Sequence, residues 1–203
     1  MRIPLSALVA IASGLAAANA SAQAPAAQSF HPAFELGVTG GGDKLATVTF
    51  NDGTSSSIRA GGLLHFGGGV LWQPAYGPAA VQVTLNYHVD DVNADNGSLR
   101  FSRYPLEVLG FFTGVQRWRF GAGPRFVFNP RLKVDVGGDN AKIAFKNTIG
   151  AVAEVGYDFG TYLWINLRVT AEKYKVKSFN GTAVTADSDV SANSVGLNFV
   201  LYF

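Results

Sequence analysis

Charged residues recur at spacings of two or four residues in several apolar stretches of the 203-residue chain. Successive side chains of a β-strand point to opposite faces, so residues two apart share a face. Arg117 and Arg119 are two residues apart in one stretch, and Arg168 and Glu172 are four apart, also on one face, in another. The charged residues on the polar faces are Glu35, Arg59, Arg103, Glu107, Arg117, Arg119, Arg125, Glu154, Asp158, Arg168 and Glu172.

Two kinds of chemistry fit such a set of charges. A ring of charges can select ions in a pore, whereas opposite charges that face one another can fill an interior with ion pairs. Both signs are present here, and buried charges persist only when they are paired. We therefore predict a lumen ion-pair network of Glu35, Arg59, Arg103, Glu107, Arg119, Arg125, Glu154, Asp158, Arg168 and Glu172.

The histidines are the other candidates for catalysis or metal binding. His31, His65 and His88 are scattered along the chain, without the close spacing of a zinc site. His88 could meet Asp90 and Ser98 near a loop, but this spacing is not diagnostic of an enzyme. The chain has no cysteine, which excludes disulfides and thiolate metal ligands. We predict no catalytic, cofactor or metal site.

Eight segments of alternating polarity must position these side chains. In the segment 79–90, Val81 and Val83 face one way, while Gln82 and Thr84 face the other. After residue 22 no apolar run approaches the ~20 residues of a membrane helix. A chain that is apolar mainly at alternate positions is typical of a transmembrane barrel, in which every second residue meets lipid. The same alternation predicts that Ile58 and Phe145 face outward as well.

Turn residues separate the segments. We predict a hairpin turn at 51–54 and short turns at 73–78, 113–114 and 160–161, alternating with long connections that include polar loops at 130–140 and 178–192. Short periplasmic turns that alternate with long outer loops are the pattern of membrane barrels. The alternation slips between Phe101 and Tyr104, and Pro124 interrupts a strand, so we expect a bulge at each place.

The N-terminal residues 1–22 have a basic start, a short apolar run and Ala-x-Ala sequences, which predict a cleaved secretory signal peptide. The alternative is an N-terminal membrane anchor. We expect a disordered leader at 23–31 and one barrel domain at 32–203. The net charge is only +2 and its charges are scattered, so no nucleic-acid partner is expected.

The last ten residues alternate like a lipid-facing strand and end on Phe203. On this stretch, the eight segments and the turn pattern, the chain resembles the eight-stranded outer-membrane β-barrel family of Gram-negative bacteria. That family includes the membrane domain of the OmpA type and the small OmpX and OmpW types. The resemblance covers 34–203 and implies an all-β fold, an eight-stranded antiparallel transmembrane β-barrel preceded by a cleaved signal peptide.

The resemblance also implies location and partners. It implies export to the outer membrane, contact with outer-membrane lipid and lipopolysaccharide, and a monomer. Phe203, with Leu201 and Phe199, would be the assembly signal read by the barrel-assembly machinery, after periplasmic chaperones have carried the chain. The lysines Lys173, Lys175 and Lys177 are either a solvated loop edge or a contact for lipopolysaccharide phosphates.

The sequence is compatible with three functions. The first is an envelope scaffold or surface-contact protein, which acts through its outer loops while ion pairs plug its lumen. The second is a narrow channel for small hydrophobic molecules, as in the OmpW-like branch. The third is a lipid A-modifying enzyme, which we do not expect because no histidine is followed by Ser two residues later. A soluble lipocalin-like barrel is the alternative fold and would be polar outside and apolar inside.

Overall fold

The computed structural model describes residues 29–49, 55–94, 97–136, 138–160, 162–184 and 189–203. The predicted signal peptide 1–22, residues 23–28 of the predicted leader and the predicted turn at 51–54 lie outside these residues. The leader was expected to extend to residue 31, but the first strand already begins at Ser29.

The described residues form strands and no helix. In chain order the strands are β1 (Ser29–Gly41), β2 (Lys44–Thr49), β3 (Ser55–Arg59), β4 (Leu63–Gln73), β5 (Ala79–Ala94), β6 (Gly97–Val115), β7 (Trp118–Val136), β8 (Asp139–Phe145), β9 (Thr148–Asp158), β10 (Leu163–Ala171), β11 (Lys173–Phe179), β12 (Thr182–Ala183), β13 (Asp189–Ser191) and β14 (Ser194–Tyr202).

Eight of these strands close into an antiparallel barrel. Their order around the wall is β1–β4–β5–β6–β7–β9–β10–β14, and β14 pairs back with β1. Closure leaves no strand edge in the wall, which a lipid environment requires because it offers no water to unpaired backbone groups. The predicted fold class is confirmed.

The barrel wall is apolar outside and polar inside. On β10, the outward residues Leu167 and Val169 are 56% and 49% exposed, whereas Asn166, Arg168 and Thr170 are buried. Strand β5 shows the same alternation, as predicted from its sequence. The wall therefore presents a continuous apolar surface suited to lipid, which is the reverse of a lipocalin-like barrel.

The two ends of the barrel differ. Short connections at 74–78 and 116–117 lie at the end where β1 begins and β14 finishes, which we call the short-turn end. The turn predicted at 113–114 is displaced to 116–117, because β6 extends to Val115 and Arg117 takes the positive φ of 63°. At the opposite, long-hairpin end, β5, β6 and β7 continue past the wall.

The continuing strands build an extension at the long-hairpin end. Strands β5, β6, β7, β8, β11 and β12 form one sheet there, β13 pairs with β11, and β2 and β3 form a separate hairpin. The polar loop predicted at 130–140 is wrong, since β7 runs to Val136 and β8 begins at Asp139. The expected bulge lies between Ser102 and Tyr104, whereas the register is unbroken at Pro124.

The extension has its own apolar core, which we call the roof because it lies over the barrel mouth. Its buried residues are Ile58, Ala60, Leu99, Phe101, Val127, Leu132, Phe145, Tyr174 and Ala192. The rings of Phe101, Phe145 and Tyr174 contact one another with centroids 5.7–5.9 Å apart. The outward positions predicted for Ile58 and Phe145 are therefore wrong. Breaks in the strands at 60–62 and 146–147 reverse which face of the chain points inward.

Because the wall is apolar on its outer side, the effect of a new charge on stability should depend on whether the charge faces lipid. Leu167→Arg should destabilise the barrel by about 2–4 kcal/mol, because it places a charge on the lipid-facing side of β10. Phe179→Arg is the matched control, because Phe179 is also 48% exposed but lies in the extension. Urea titrations in phospholipid vesicles would measure both. Equal losses of stability would contradict the assignment of one surface to lipid and the other to water.

Candidate functional site

The barrel interior holds four glutamates and four arginines, each at most 4% exposed. They come from β1, β6, β7, β9, β10 and the β10–β11 junction, where alternation points each of them inward. These eight charges are Glu35, Arg103, Glu107, Arg119, Arg125, Glu154, Arg168 and Glu172, and Asp90, 7% exposed, is a further buried carboxylate. The four glutamates and four arginines are equal in number, so their formal charges can compensate one another without water.

Glu107 is the centre of this network. One of its carboxylate oxygens accepts from Nη1 of Arg125, and the other accepts from Nη2 of Arg168. Arg125 also donates from Nε to Oε2 of Glu172 at 2.9 Å. Arg168 reaches Glu154 with 3.3 Å between Nη1 and Oε1. A single carboxylate thus joins two arginines, and each arginine carries the network to a further glutamate.

The network continues to the roof through Glu172. The Tyr174 hydroxyl donates to Oε1 of Glu172 at 2.7 Å, and Nε of Arg103 lies 3.7 Å from the same oxygen. The Arg103 guanidinium also lies 4.9 Å from the centroid of the Phe101 ring. The charged lumen and the apolar roof are therefore in direct contact.

Two histidines are held within the lumen network. His65 Nε2 lies 3.1 Å from Oδ1 of Asn198. Arg125 Nη2 is 3.1 Å from Nδ1 of His88. Nε2 of His88 lies 3.0 Å from Oγ1 of Thr39 and 3.2 Å from Nη2 of Arg103, and the Thr39 hydroxyl donates to a backbone carbonyl. Both rings act as structural hydrogen-bond partners.

Arg119 closes the interior at the short-turn end. Its guanidinium lies between the rings of Phe111 and Trp164, at 4.3 and 4.8 Å from their centroids. Nε of Arg119 donates to Oδ1 of Asn166 at 3.2 Å, and the Asn166 amide donates to Glu154 at 2.8 Å. Cation–π contacts and a relayed hydrogen bond thus replace a direct carboxylate partner.

Glycines on the inner face make room for these large side chains. A Cβ at Gly156 would lie 2.9 Å from Cγ and 3.0 Å from Nε of Arg119. A Cβ at Gly37 would overlap the ring of His65. The space left by these glycines is filled by neighbouring side chains.

The structure brings eight of the ten predicted network residues together and places two elsewhere. Arg59 is exposed, because the strand break at 60–62 turns it away from the interior, and its Nη1 donates to the Gly42 carbonyl at 3.0 Å. Asp158 lies at the short-turn mouth, where its Oδ1 accepts from the Gly160 amide at 2.8 Å. Arg117 is exposed in the adjacent turn.

Sequence reasoning also missed the neutral polar partners. Gln82 donates to Glu35, and Asn166 and Asn198 both donate to Glu154. Their inward position followed from alternation, but their partners are set by contacts across the lumen. No sequence spacing reports those contacts.

The residues of the predicted assembly signal lie on the last strand and just beyond it. Phe199 and Leu201 face outward, and the Phe203 ring lies 6.0 Å from that of Phe34 and 6.4 Å from that of Tyr162. Nδ1 of His31 lies 3.0 Å from the Phe203 carbonyl oxygen. Their role in assembly stays a prediction.

The fold is similar to that of known bacterial surface barrels. The crystal structure of Neisserial surface protein A matches with a TM-score of 0.52 and 12% identity, over 88% of this chain and 100% of that one. The crystal structure of Ail, the attachment invasion locus protein of Yersinia pestis, in complex with the heparin analogue sucrose octasulfate, matches with a TM-score of 0.54 and 9% identity, over the same shares.

Both of these proteins are eight-stranded outer-membrane β-barrels, and the chain has the same fold. At these identities the likeness extends to the fold alone. No protein-family model matches the sequence, and the search of curated proteins gave no match.

Removing the charge of Glu107 should show how much an unpaired buried charge destabilises the barrel. Glu107→Gln should lower the free energy of unfolding by about 3–5 kcal/mol, because Arg125 and Arg168 lose their shared partner. Asp91→Asn is the control, since its ion pair with Arg100 at 2.9 Å lies at the surface, with the two side chains 27% and 53% exposed, and its loss should cost at most about 1 kcal/mol. Unfolding titrations in lipid vesicles would compare the two. Equal effects would show that the lumen network does not hold the barrel together.

Proposed function

We propose that the chain is an outer-membrane protein of a Gram-negative envelope that acts as a scaffold or surface-contact protein. Its working part is the extension, which the barrel holds outside the membrane. The observation that carries this proposal is that two structures obstruct the lumen. The network around Glu107 fills the interior, and the roof covers the mouth at the long-hairpin end. A barrel filled in this way is suited to presenting a surface.

The orientation follows from the two ends. In bacterial barrels the short turns face the periplasm and the long hairpins face outward. The extension would then lie outside the cell, with its own core to keep its strands folded in water. One matched protein is a surface protein and the other an attachment invasion locus protein, and both names agree with a surface-contact role.

The alternatives have less support. A channel for small hydrophobic molecules would need an apolar path, whereas the described lumen is lined by buried charges. The lipid A-modifying enzyme considered from the sequence would need a histidine free to exchange protons, whereas His65 and His88 lie in the network and His31 lies against the chain end. We propose that the protein is neither.

Conductance measurements test the closed lumen. In planar bilayers the wild-type protein should show no steady current, because ions would have to displace buried ion pairs. Phe101→Ala should also show none, since it weakens the roof and leaves the network around Glu107 in place. A large, stable and reproducible current from the wild type would instead favour a channel. A current from Phe101→Ala alone would identify the roof as the only barrier.

Cysteine labelling tests location and orientation, because the chain has no cysteine of its own. Thr182→Cys places a thiol on the exposed strand β12, and Tyr76→Cys places one in a short turn where the side chain is 92% exposed. On intact cells a membrane-impermeant maleimide should label Thr182→Cys alone, and permeabilised cells should show both. The opposite result on intact cells would invert the orientation, and a soluble periplasmic product would refute the location.

A further inference from the structure

Three cations stand in a row across neighbouring strands of the extension. Arg100 on β6 pairs with Lys133 on β7, and Lys133 pairs with Lys142 on β8. All three side chains are exposed on the face opposite the roof, whereas the next residue of β6, Phe101, is buried in the roof. Residues directly opposite on one face have Cβ atoms about 4.5–5.5 Å apart, and like charges at that separation destabilise the pairing.

The described residues do not neutralise this row. Arg100 has a carboxylate partner, Asp91, at 2.9 Å, but neither Lys133 nor Lys142 forms an ion pair within the described part of the chain. Asp135 is the other carboxylate on this face, two residues beyond Lys133. Arg131 adds a cation one row nearer the barrel, where its Nε donates to Oδ1 of Asn129 at 3.0 Å. The face keeps an excess of positive charge.

The row borders a concave site whose backbone is held by hydrogen bonds. A cavity of about 800 Å³ lies along it, and Ser98, Asn140 and Asn180 supply further polar groups to its lining. The Lys142 amide donates to Oδ1 of Asn180 at 2.7 Å, and the Asn180 amide donates to the Lys142 carbonyl at 2.8 Å. The strand that carries Lys142 is therefore fixed by the β11–β12 turn.

The row lies just beyond the lipid-facing wall. Tyr104 and Phe128 are paired across β6 and β7 and are 46% and 42% exposed on the outer side of the barrel, as expected of an interfacial aromatic band. Arg100 precedes Tyr104 by four residues along β6. With a rise of about 3.3 Å per residue and a strand tilt of about 40°, the row stands roughly 10 Å above that band. The headgroup layer extends about 5–8 Å beyond the hydrocarbon core on each side, and the long arginine and lysine side chains can reach down to it.

We infer that the row of Arg100, Lys133 and Lys142 binds phosphate groups of a phosphorylated glycolipid headgroup in the outer leaflet around the barrel. Arginine can bind a phosphate with two hydrogen bonds, and the lysines add point charges. Phosphate oxygens between the strands would relieve the repulsion within the row. The inference rests on the proposed outer-membrane location and adds a lipid site at the side of the extension.

The lysines that the sequence suggested for this contact are less suitable. Nζ of Lys173 and Nζ of Lys175 lie 3.8 and 3.7 Å from the carboxylate of Asp189. Lys173 and Lys175 thus share the Asp189 carboxylate, whereas neither Lys133 nor Lys142 has a carboxylate partner among the described residues. This contrast supplies a matched control, because both lysine pairs are exposed in the extension and both carry two charges.

Binding of a phosphorylated lipid tests the inference. The probe is fluorescent lipid A with two phosphates, added to the folded protein in zwitterionic detergent micelles and followed by anisotropy. Lys133→Gln/Lys142→Gln should weaken binding about 10- to 30-fold. Lys173→Gln/Lys175→Gln should change it by no more than roughly twofold. Lys133→Arg/Lys142→Arg should retain binding, and raised salt should weaken it in every form.

The variants should all fold, because replacing Lys133 and Lys142 removes a repulsion, and the shift in gel mobility on heating checks this. The charge-preserving arginine variant decides the result if the glutamine variant folds poorly. Equal losses for the two lysine pairs, or equal binding of lipid A without phosphates, would overturn the site. Binding of sucrose octasulfate through this row without binding of lipid A would overturn the lipid assignment. Failure of the cysteine-labelling test would contradict the proposed location, whereas the binding results above would contradict only the lipid site.

Discussion

The balance of four arginines and four glutamates in the lumen is the constraint on which the rest of the barrel depends. A closed wall separates these charges from water, so each charge requires a partner at a matching height. Glu107 and Arg125 lie directly opposite on neighbouring strands, and Arg168 reaches Glu107 from β10 across the lumen. A slip of one residue between two strands would move a charge to the lipid side. The network therefore helps to specify the register as well as to fill the space.

The length of the strands determines what lies above this network. Strands β6 and β7 have 19 residues each, well beyond the roughly 9–11 that cross a membrane. Their outer parts keep pairing and must bury an apolar face without lipid. They do so against the β2–β3 hairpin and strands β8 and β11, which produces the roof. The same strands then present Arg100 and Lys133 on the opposite face.

Alternation in the sequence predicted the barrel and most of its interior because a strand fixes the side on which each residue lies. It failed where a strand breaks and the facing reverses, as at Arg59 and Phe145. It also failed to find the roof, because an apolar face packed on another apolar face has the same pattern as one packed on lipid. The cationic row was hidden for a different reason: Arg100, Lys133 and Lys142 become neighbours only through pairing between strands.

The roof has a consequence for the order of folding. Its central rings come from β6, β8 and β11, which are far apart in the chain. In the proposed orientation we expect them to meet only after their hairpins have crossed the membrane. Contacts that form after translocation raise the barrier to the reverse movement without slowing the forward one. The roof should therefore oppose withdrawal of a hairpin, because withdrawal would expose to water the apolar core that the hairpins share. In the proposed orientation we therefore expect a structure outside the membrane to slow the loss of the inserted barrel.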